Sequence, residues 1–347
     1  MVGRRRGMIE TAETDLWFDL TEAGTYYIDV AQCLSLVNRK MYRQGMQYAV
    51  ENLEMFSNGT NQAFVYRLPT TWVVANSWEK CMRVWLEQQN EVMESSGLES
   101  TVAKYRDFKV YMDPIHAIAG VSANALPLYW GGDSAASPPS GIGLPSSLPA
   151  GTSYEWEISQ LVIPNDGSVG NTTERTFHML GADTTSPTPD SVSMIEAYAE
   201  SRARPHSVDP NFVDVPFGGI LGEATDKGDD NADIITNAQD HNHSPPYPVG
   251  DVSSSTSNAL NFYPGGNQFG TAAITYVGLE TVMTNRSTAA SGGTLSTTYA
   301  PGFLANCGLL MITMAHGEVP PTTIRFKIGV SPGNYKGVAA RSMAVVN

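Results

Sequence analysis

The stretch AFVYRLPTTWVVANSWEKCMRVWLEQQNEVMESSG, residues 63–97, changes its period partway along, and that change decides the fold class. In AFVYRLPTTWVVAN (63–76), Phe64, Tyr66 and Leu68, then Trp72 and Val74, recur at every second position, the period of a half-buried strand. Pro69 has no backbone N–H to give to a ladder, so it marks a bend or an edge. From Asn76 the pattern turns helical. Asn76 is placed to cap and Glu79, three residues on, completes a capping box. Trp78, Met82, Trp85, Leu86 and Met93 then share one face, and Gly97 stops the run. This aromatic stripe reads as core packing.

Outward from this stretch the chain is mostly strand. TYYIDVAQ (25–32), MQYAVENLEMF (46–56), FKVYM (108–112), YEWEISQLVI (154–163) and RTFHML (175–180) are rich in β-branched and aromatic residues. So are TAAITYVGLETVM (271–283), LANCGLLMITMA (304–315) and TIRFKIGV (323–330). About nine strands result, with no alternation of strand and helix. SVSMIEAYAESRAR (191–204) predicts a second, shorter helix. Three long stretches, 131–153, 222–258 and 287–302, are polar or Gly/Pro-rich and read as loops. Short strands joined by large insertions predict an all-β sandwich with its loops projecting from one end.

Composition agrees. The 347 residues are 41% hydrophobic but only 16% charged, with 32 Gly and 21 Pro in their place. An average domain is about a quarter charged. The three cysteines, Cys33, Cys81 and Cys307, have no paired framework, which fits a reducing compartment. No unbroken apolar run is long enough to cross a membrane, and the opening arginines are followed by MIETAETDLWF, too acidic for a signal peptide. The expectation is a product of the cytosol or nucleus. Net charge is -14, and it is uneven: residues 121–240 carry 4 basic and 17 acidic side chains, against 12 and 15 before them. The acidity belongs to the middle third, as a solvated face.

Enzyme signatures fail on their chemistry. GVSPG (329–333) has the G-x-S-x-G spacing of a nucleophile elbow, but Pro332 removes the backbone N–H that would stabilise an oxyanion, so Ser331 is no nucleophile. His241 and His243 share a face if they lie in a strand, as in a cupin-like metalloprotein, yet no glutamate follows at cupin spacing and a Pro-Pro turn comes next. DKGDDNADIITN (226–237) has Asn where an EF-hand needs its sixth-position Gly and twelfth-position Glu. Asp226, Asp229, Asp230 and Asp233 remain a looser candidate calcium site. No glycine-rich segment has nucleotide-binding spacing, and the expected class is not an enzyme.

The basic residues are informative. Arg4, Arg5 and Arg6 open the chain, and Arg39, Lys40 and Arg43 follow in VNRKMYRQGMQY beside Tyr42 and Tyr48. Lys80, Arg83, Lys104, Arg106 and Lys109 come next. Cations that pair with phosphates, beside rings that stack on bases, suit single-stranded nucleic acid.

The order of features, a basic arm, TYYIDVA, NRKMYRQGMQYAVENLEMF, AFVYRLPTTWVV and then an amphipathic helix, resembles the single jelly-roll capsid proteins of small icosahedral viruses. The likeness is greatest to those of circular single-stranded-DNA viruses that encode a replication initiator, and it is plainest over residues 1–120. It implies an eight-stranded antiparallel jelly-roll sandwich with one or two inserted helices and long surface loops. It implies an N-terminal arm (1–20), a single capsid domain (21–347), and a homo-oligomeric icosahedral shell around a single-stranded genome. The virion would assemble in the host nucleus or cytoplasm, with no membrane and no cofactor besides the candidate calcium ion. Arg4, Arg5 and Arg6 would be the genome-facing arm, and Arg39, Lys40 and Arg43 inner-face cations. The sequence departs from the family in being acidic overall with a short arm, so protein–protein contacts would carry most of assembly. A β-sandwich carbohydrate-binding or appendage subunit is the alternative reading, with the cupin-like metalloprotein behind it.

Overall fold

Fifteen residues into the chain, Asp15–Asp19 forms β1, and its neighbour in space is the last long strand of the sequence. The structure, a computed structural model, describes residues 10–20, 22–57, 61–97, 106–128, 156–164, 172–184, 190–202, 279–287, 296–316 and 324–346. Arg4–Arg6, the segments 131–153 and 222–258, the Asp226–Asp233 cluster, His241 and His243 lie outside these residues.

After β1 come β2 (Gly24–Asp29), α1 (Val30–Asn38), β3 (Met46–Ser57), β4 (Asn61–Arg67), α2 (Trp72–Ser95) and α3 (Pro114–Ala119). Then follow β5 (Leu161–Pro164), β6 (Thr172–His178), β7 (Asp190–Ser193) and α4 (Met194–Arg202). The chain continues with β8 (Glu280–Ser287), β9 (Ser296–Ala300), β10 (Phe303–Ala305), β11 (Leu309–His316) and β12 (Ile324–Val330).

Two antiparallel sheets face each other in an all-β sandwich. The first runs β1-β12-β3-β10, with β9 and Ala340–Ser342 also paired to β3; the second runs β2-β11-β4-β8. The pairing is nested: β1 with β12, β2 with β11, β3 with β9 and β10, β4 with β8. Between the sheets, Leu16, Phe18, Leu53, Met55, Phe326 and Ile328 of the first meet Ile28, Ala63, Val65, Leu310 and Ile312 of the second, all fully buried. Each large apolar side chain so buried contributes roughly 1.5–3 kcal/mol.

The second sheet is covered on its other face too. Leu309, Met311 and Tyr27 pack there against Val73, Val74, Trp78 and Trp85 of α2, and against Phe108, Val110, Met112, Phe177 and Met179. Burial on both faces explains why LLMITMA has no polar alternation. A small sheet, β5 antiparallel to β6 and β6 parallel to β7, lies in this outer layer.

Several sequence expectations need correction. Residues 72–76 are the first turn of α2, not the end of a strand: β4 stops at Arg67, and Thr71 is the N-cap, without a side-chain cap bond. Asn76 and Glu79 therefore lie inside the helix. The β-branched Val73 and Val74 disfavour a helix, but both are buried against the second sheet and tertiary packing wins. TYYIDVAQ breaks at Asp29, whose carboxylate accepts from Ala31 N (2.9 Å) and Gln32 N (3.2 Å) and starts α1. Asp29 and Gln32 have the spacing of a capping box, the cue that marks this start in the sequence.

Residues 108–112 run extended beside β6 but only bridge it at Tyr111 and His178, and 156–160 is no strand. The segment 287–302, read as loop, contains β9. Its Thr297 and Tyr299 point out while Ala300 points in, a strand alternation hidden by small residues. The arm read as 1–20 ends before β1, at Thr14.

A buried polar chain joins the pieces. The Asp29 carboxylate also accepts from Gln44 Nε2 (2.8 Å) and Trp156 Nε1 (3.0 Å). Gln32 Oε1 accepts from Asn124 Nδ2 (2.8 Å). His116 Nδ1 accepts from Met112 N (3.2 Å), so its Nε2–H donates to Asn124 Oδ1 (2.8 Å), and its ring stacks on Tyr27 at 4.1 Å. His178 Nε2–H donates to the Ala182 carbonyl (3.0 Å), which leaves Nδ1 to accept from the Ser191 hydroxyl (2.8 Å).

Burial pushes both imidazoles down to about 3, against their hydrogen bonds, and pushes Asp29 up to about 6 against its four donors. Burial also raises Asp107 and Asp113. The histidines are neutral in the fold while the unfolded chain takes up protons near 6.5, so their contribution is lost as pH falls below 6.5. The aspartates act oppositely: Asp29 contributes stability present below 3.8 and lost as pH rises through about 6.

Two outcomes are expected. Trp78→Ala or Trp85→Ala should cost on the order of 3–5 kcal/mol in urea unfolding; an unchanged midpoint would put that helix face outside the core. The His116 and His178 ring protons should not titrate by NMR between pH 7.5 and 4.5. Over pH 7 to 5.5 the histidines dominate, and stability should fall by roughly 1–2 kcal/mol.

A candidate nucleic-acid interface

At the C-terminus of α1 the chain turns through Arg39, whose left-handed backbone (φ 50°) ends the helix and leaves its guanidinium exposed. The next residues, 40–44, lead into β3. Lys40 Nζ donates to the Thr11 carbonyl (3.2 Å) and lies 3.8 Å from the Glu10 carboxylate. Arg43 is exposed, and its backbone N–H donates to the Tyr335 hydroxyl (3.1 Å). Neither Arg39 nor Arg43 has an ion-pair partner among the described residues.

A fourth cation arrives from far along the sequence. Beyond β12 the chain makes a hairpin, Pro332–Gly333 paired with Gly337–Val338, and Lys336 stands at its tip with φ 52°. Its ammonium donates to the Met41 carbonyl and lies 5.9 and 5.6 Å from the ring centroids of Tyr42 and Tyr335. Burial pushes the Lys336 ammonium below the usual lysine range, and Arg43 lowers it further. Glu10 and Asp107 push it back up, and Lys40 adds to the lowering. Lys336 thus stands in the field of Arg43 and Lys40, offset by Glu10 and Asp107.

The N-terminal arm starts from the same place. A Cβ on Gly337 would stand 2.8 Å from the Glu10 carbonyl and 2.6 Å from Ala12 Cβ, and its φ of +99° also requires glycine. The hairpin therefore seats residues 10–12 against the cations. Of the three cations predicted from the sequence, Lys40 and Arg43 act on Lys336, while Arg39 lies at the end of α1 and is not among the charges that shift it.

Their aromatic company does not serve as predicted. Tyr42 and Tyr48 are fully buried and cannot stack on bases. Tyr42 donates its hydroxyl to the Lys336 carbonyl (2.8 Å) and Tyr48 to the Arg43 carbonyl (2.6 Å), so the two rings brace the backbone that carries the cations. The half-exposed ring at the patch is Tyr335.

The other cations are engaged elsewhere. Lys80 donates to Ser201 Oγ (2.6 Å), Arg83 pairs with Glu79, Arg106 reaches Asn90 (3.3 Å), and Lys109 is buried with its ammonium 4.9 Å from the Trp156 ring. Lys104 lies outside the described residues. Ser331 is held in strand-like pairing, its N–H donating to Ala49 O and its carbonyl accepting from Ala339 N, with no elbow geometry. Among the described residues no three His, Cys, Asp or Glu side chains are placed to hold a metal ion.

Lys336 was missed because nothing in GNYKG connects it with residues almost 300 positions earlier. Only the nested strand pairing brings the two together.

Arg43→Ala and Lys336→Gln should each weaken binding of a single-stranded oligonucleotide. Each should also reduce the slope of log affinity against log salt by about 0.7, read by fluorescence anisotropy across a salt series. An unchanged slope would remove that residue from the interface. Comparisons with family models, curated proteins and solved structures found no match to this chain.

Proposed function

We propose that this chain is a shell-forming coat protein, a jelly-roll subunit that assembles in many copies around a single-stranded nucleic acid. The observation that carries the reading is the nested strand pairing: first strand with last long strand, second with the long strand before it, and so inward. β9 and β10 run along one side of β3, interrupted where Gly302 passes the Val50 and Glu51 carbonyls. Counted as one interrupted strand, they would make eight strands in two facing sheets, which supports the jelly-roll reading.

Jelly rolls also serve lectins and cupins, so the fold alone does not select a function. The cationic corner favours the coat-protein reading. Arg39 and Arg43 have no ion-pair partner among the described residues, and Lys40 and Lys336 stand beside the root of an arm carrying Arg4, Arg5 and Arg6. Arg6 is four residues from Glu10, a reach of at most about 14 Å. So few cations bind phosphate weakly per chain, and a closed array of copies turns that weak affinity into capture. A carbohydrate-binding subunit would use such cations only for acidic, sulfated or carboxylated glycans.

Negative-stain microscopy of the expressed protein after size exclusion, with its absorbance ratio at 260 and 280 nm, tests this directly. Uniform closed particles carrying nucleic acid are expected. Deleting residues 1–7 should reduce the packaged nucleic acid while leaving thermal unfolding unchanged. A small soluble species under all assembly conditions would sink the reading.

A further inference from the structure

The face of the first sheet that points away from the sandwich core carries residues unusual for a sheet exposed to water. Such a face is ordinarily polar. Here Trp17 of β1 and Phe56 of β3 stack with ring centroids 5.7 Å apart, Tyr299 of β9 is 61% exposed, and Leu304 of β10 is 38% exposed. One row of the register spans the face: Trp17 is opposite Lys327, Lys327 opposite Glu54, and Glu54 opposite Tyr299. In the adjacent row Asp19, Arg325, Phe56 and Thr297 follow in the same order. Clustered aromatics beside an arginine are the composition of an interface hot spot.

We propose that this face is an isologous contact with a second copy of the chain. The charges select that occupant. Asp15, Asp19 and Glu54 stand among Arg325 and Lys327, a balance that repels phosphate but suits a surface facing itself about a two-fold axis. Lys327 is satisfied by Asp15 at 3.1 Å. Arg325 is held less closely: its Nε forms an ion pair with Asp19 at 3.9 Å, beyond hydrogen-bond range, and has no hydrogen-bond partner among the described residues. Glu54 accepts from the Asn52 amide (3.1 Å) and has no cation partner among the described residues. Arg325 and Glu54 sit one row apart on neighbouring strands. A two-fold axis between them sets each against the other's counterpart, twice over. Phe56 then lies beside the two charge pairs, and Trp17 and Tyr299, on the strands to either side, flank them as apolar contacts.

The inference rests on the shell reading only in that a shell requires copies to touch; its own test is separate. Sedimentation velocity over a concentration series, with microscopy of the same samples, compares the full-length chain with Tyr299→Asp, Glu54→Arg, Arg325→Glu and the Glu54→Arg/Arg325→Glu double variant. Thermal unfolding of each is the check on folding. Tyr299→Asp and each single charge reversal should weaken self-association on the order of tenfold or more, and the double variant should recover it. Particles or dimers unaltered by Tyr299→Asp overturn the proposed face and leave the shell reading standing. Dimers that form without shells, and that Tyr299→Asp abolishes, uphold the face and overturn the shell. A double variant no better than its parents overturns the two-fold geometry. Oligosaccharide binding on a glycan array that needs Tyr299, in a chain that stays monomeric, overturns the self-contact in favour of a sugar-binding face.

Discussion

Burial of β11 on both of its faces ties this molecule together. Leu310 and Ile312 close the core between the two sheets, while Leu309 and Met311, alternating with them, anchor α2 and the outer layer. A strand with two buried faces cannot shift register by one residue without exchanging the members of both cores. Its partners β2 and β4 are fixed with it, and through them the nested order of the whole sandwich.

Asp29 complements that apolar constraint with a polar one. Its carboxylate ends β2, caps α1, and takes bonds from Gln44 before β3 and from Trp156, far along the chain. Burying a carboxylate without a cation is costly, and four donors make it tolerable. The result positions the cationic corner. With α1 started at Asp29, its last residue and the Arg39 turn are set, and Gln44 is held while Arg43 faces out beside it. The cationic patch is thus a consequence of how β2 is made to end.

The cations and the aromatic sheet face would divide two tasks within one shell: charge at the end of the first sheet where the arm begins, copy-to-copy contact across its outward surface. The tyrosines show how aromatic residues near cations mislead a reading by adjacency. Tyr42 and Tyr48 stand within a few positions of Arg43, yet their rings fill the core and their hydroxyls hold carbonyls. Tyr299, in a stretch without any evident pattern, is the ring that faces solvent.

What the sequence by itself determined is local and periodic: the strands 46–56 and 323–330, the helical face of Trp78 and Trp85, the second helix after Ser193, and the cluster Arg39, Lys40 and Arg43. Each follows from side-chain spacing that one element must satisfy alone. The tertiary structure decided what depends on partners far away. Val73 and Val74 are helical because the second sheet buries them, TYYIDVAQ breaks where Asp29 finds donors from residues 44 and 156, and β9 exists because β3 offers an open edge. Lys336 joins the cations because β12 returns to pair with β1. Backbone pairing and burial between residues hundreds of positions apart leave no periodic trace in either segment, and so these features appear only once the chain is folded.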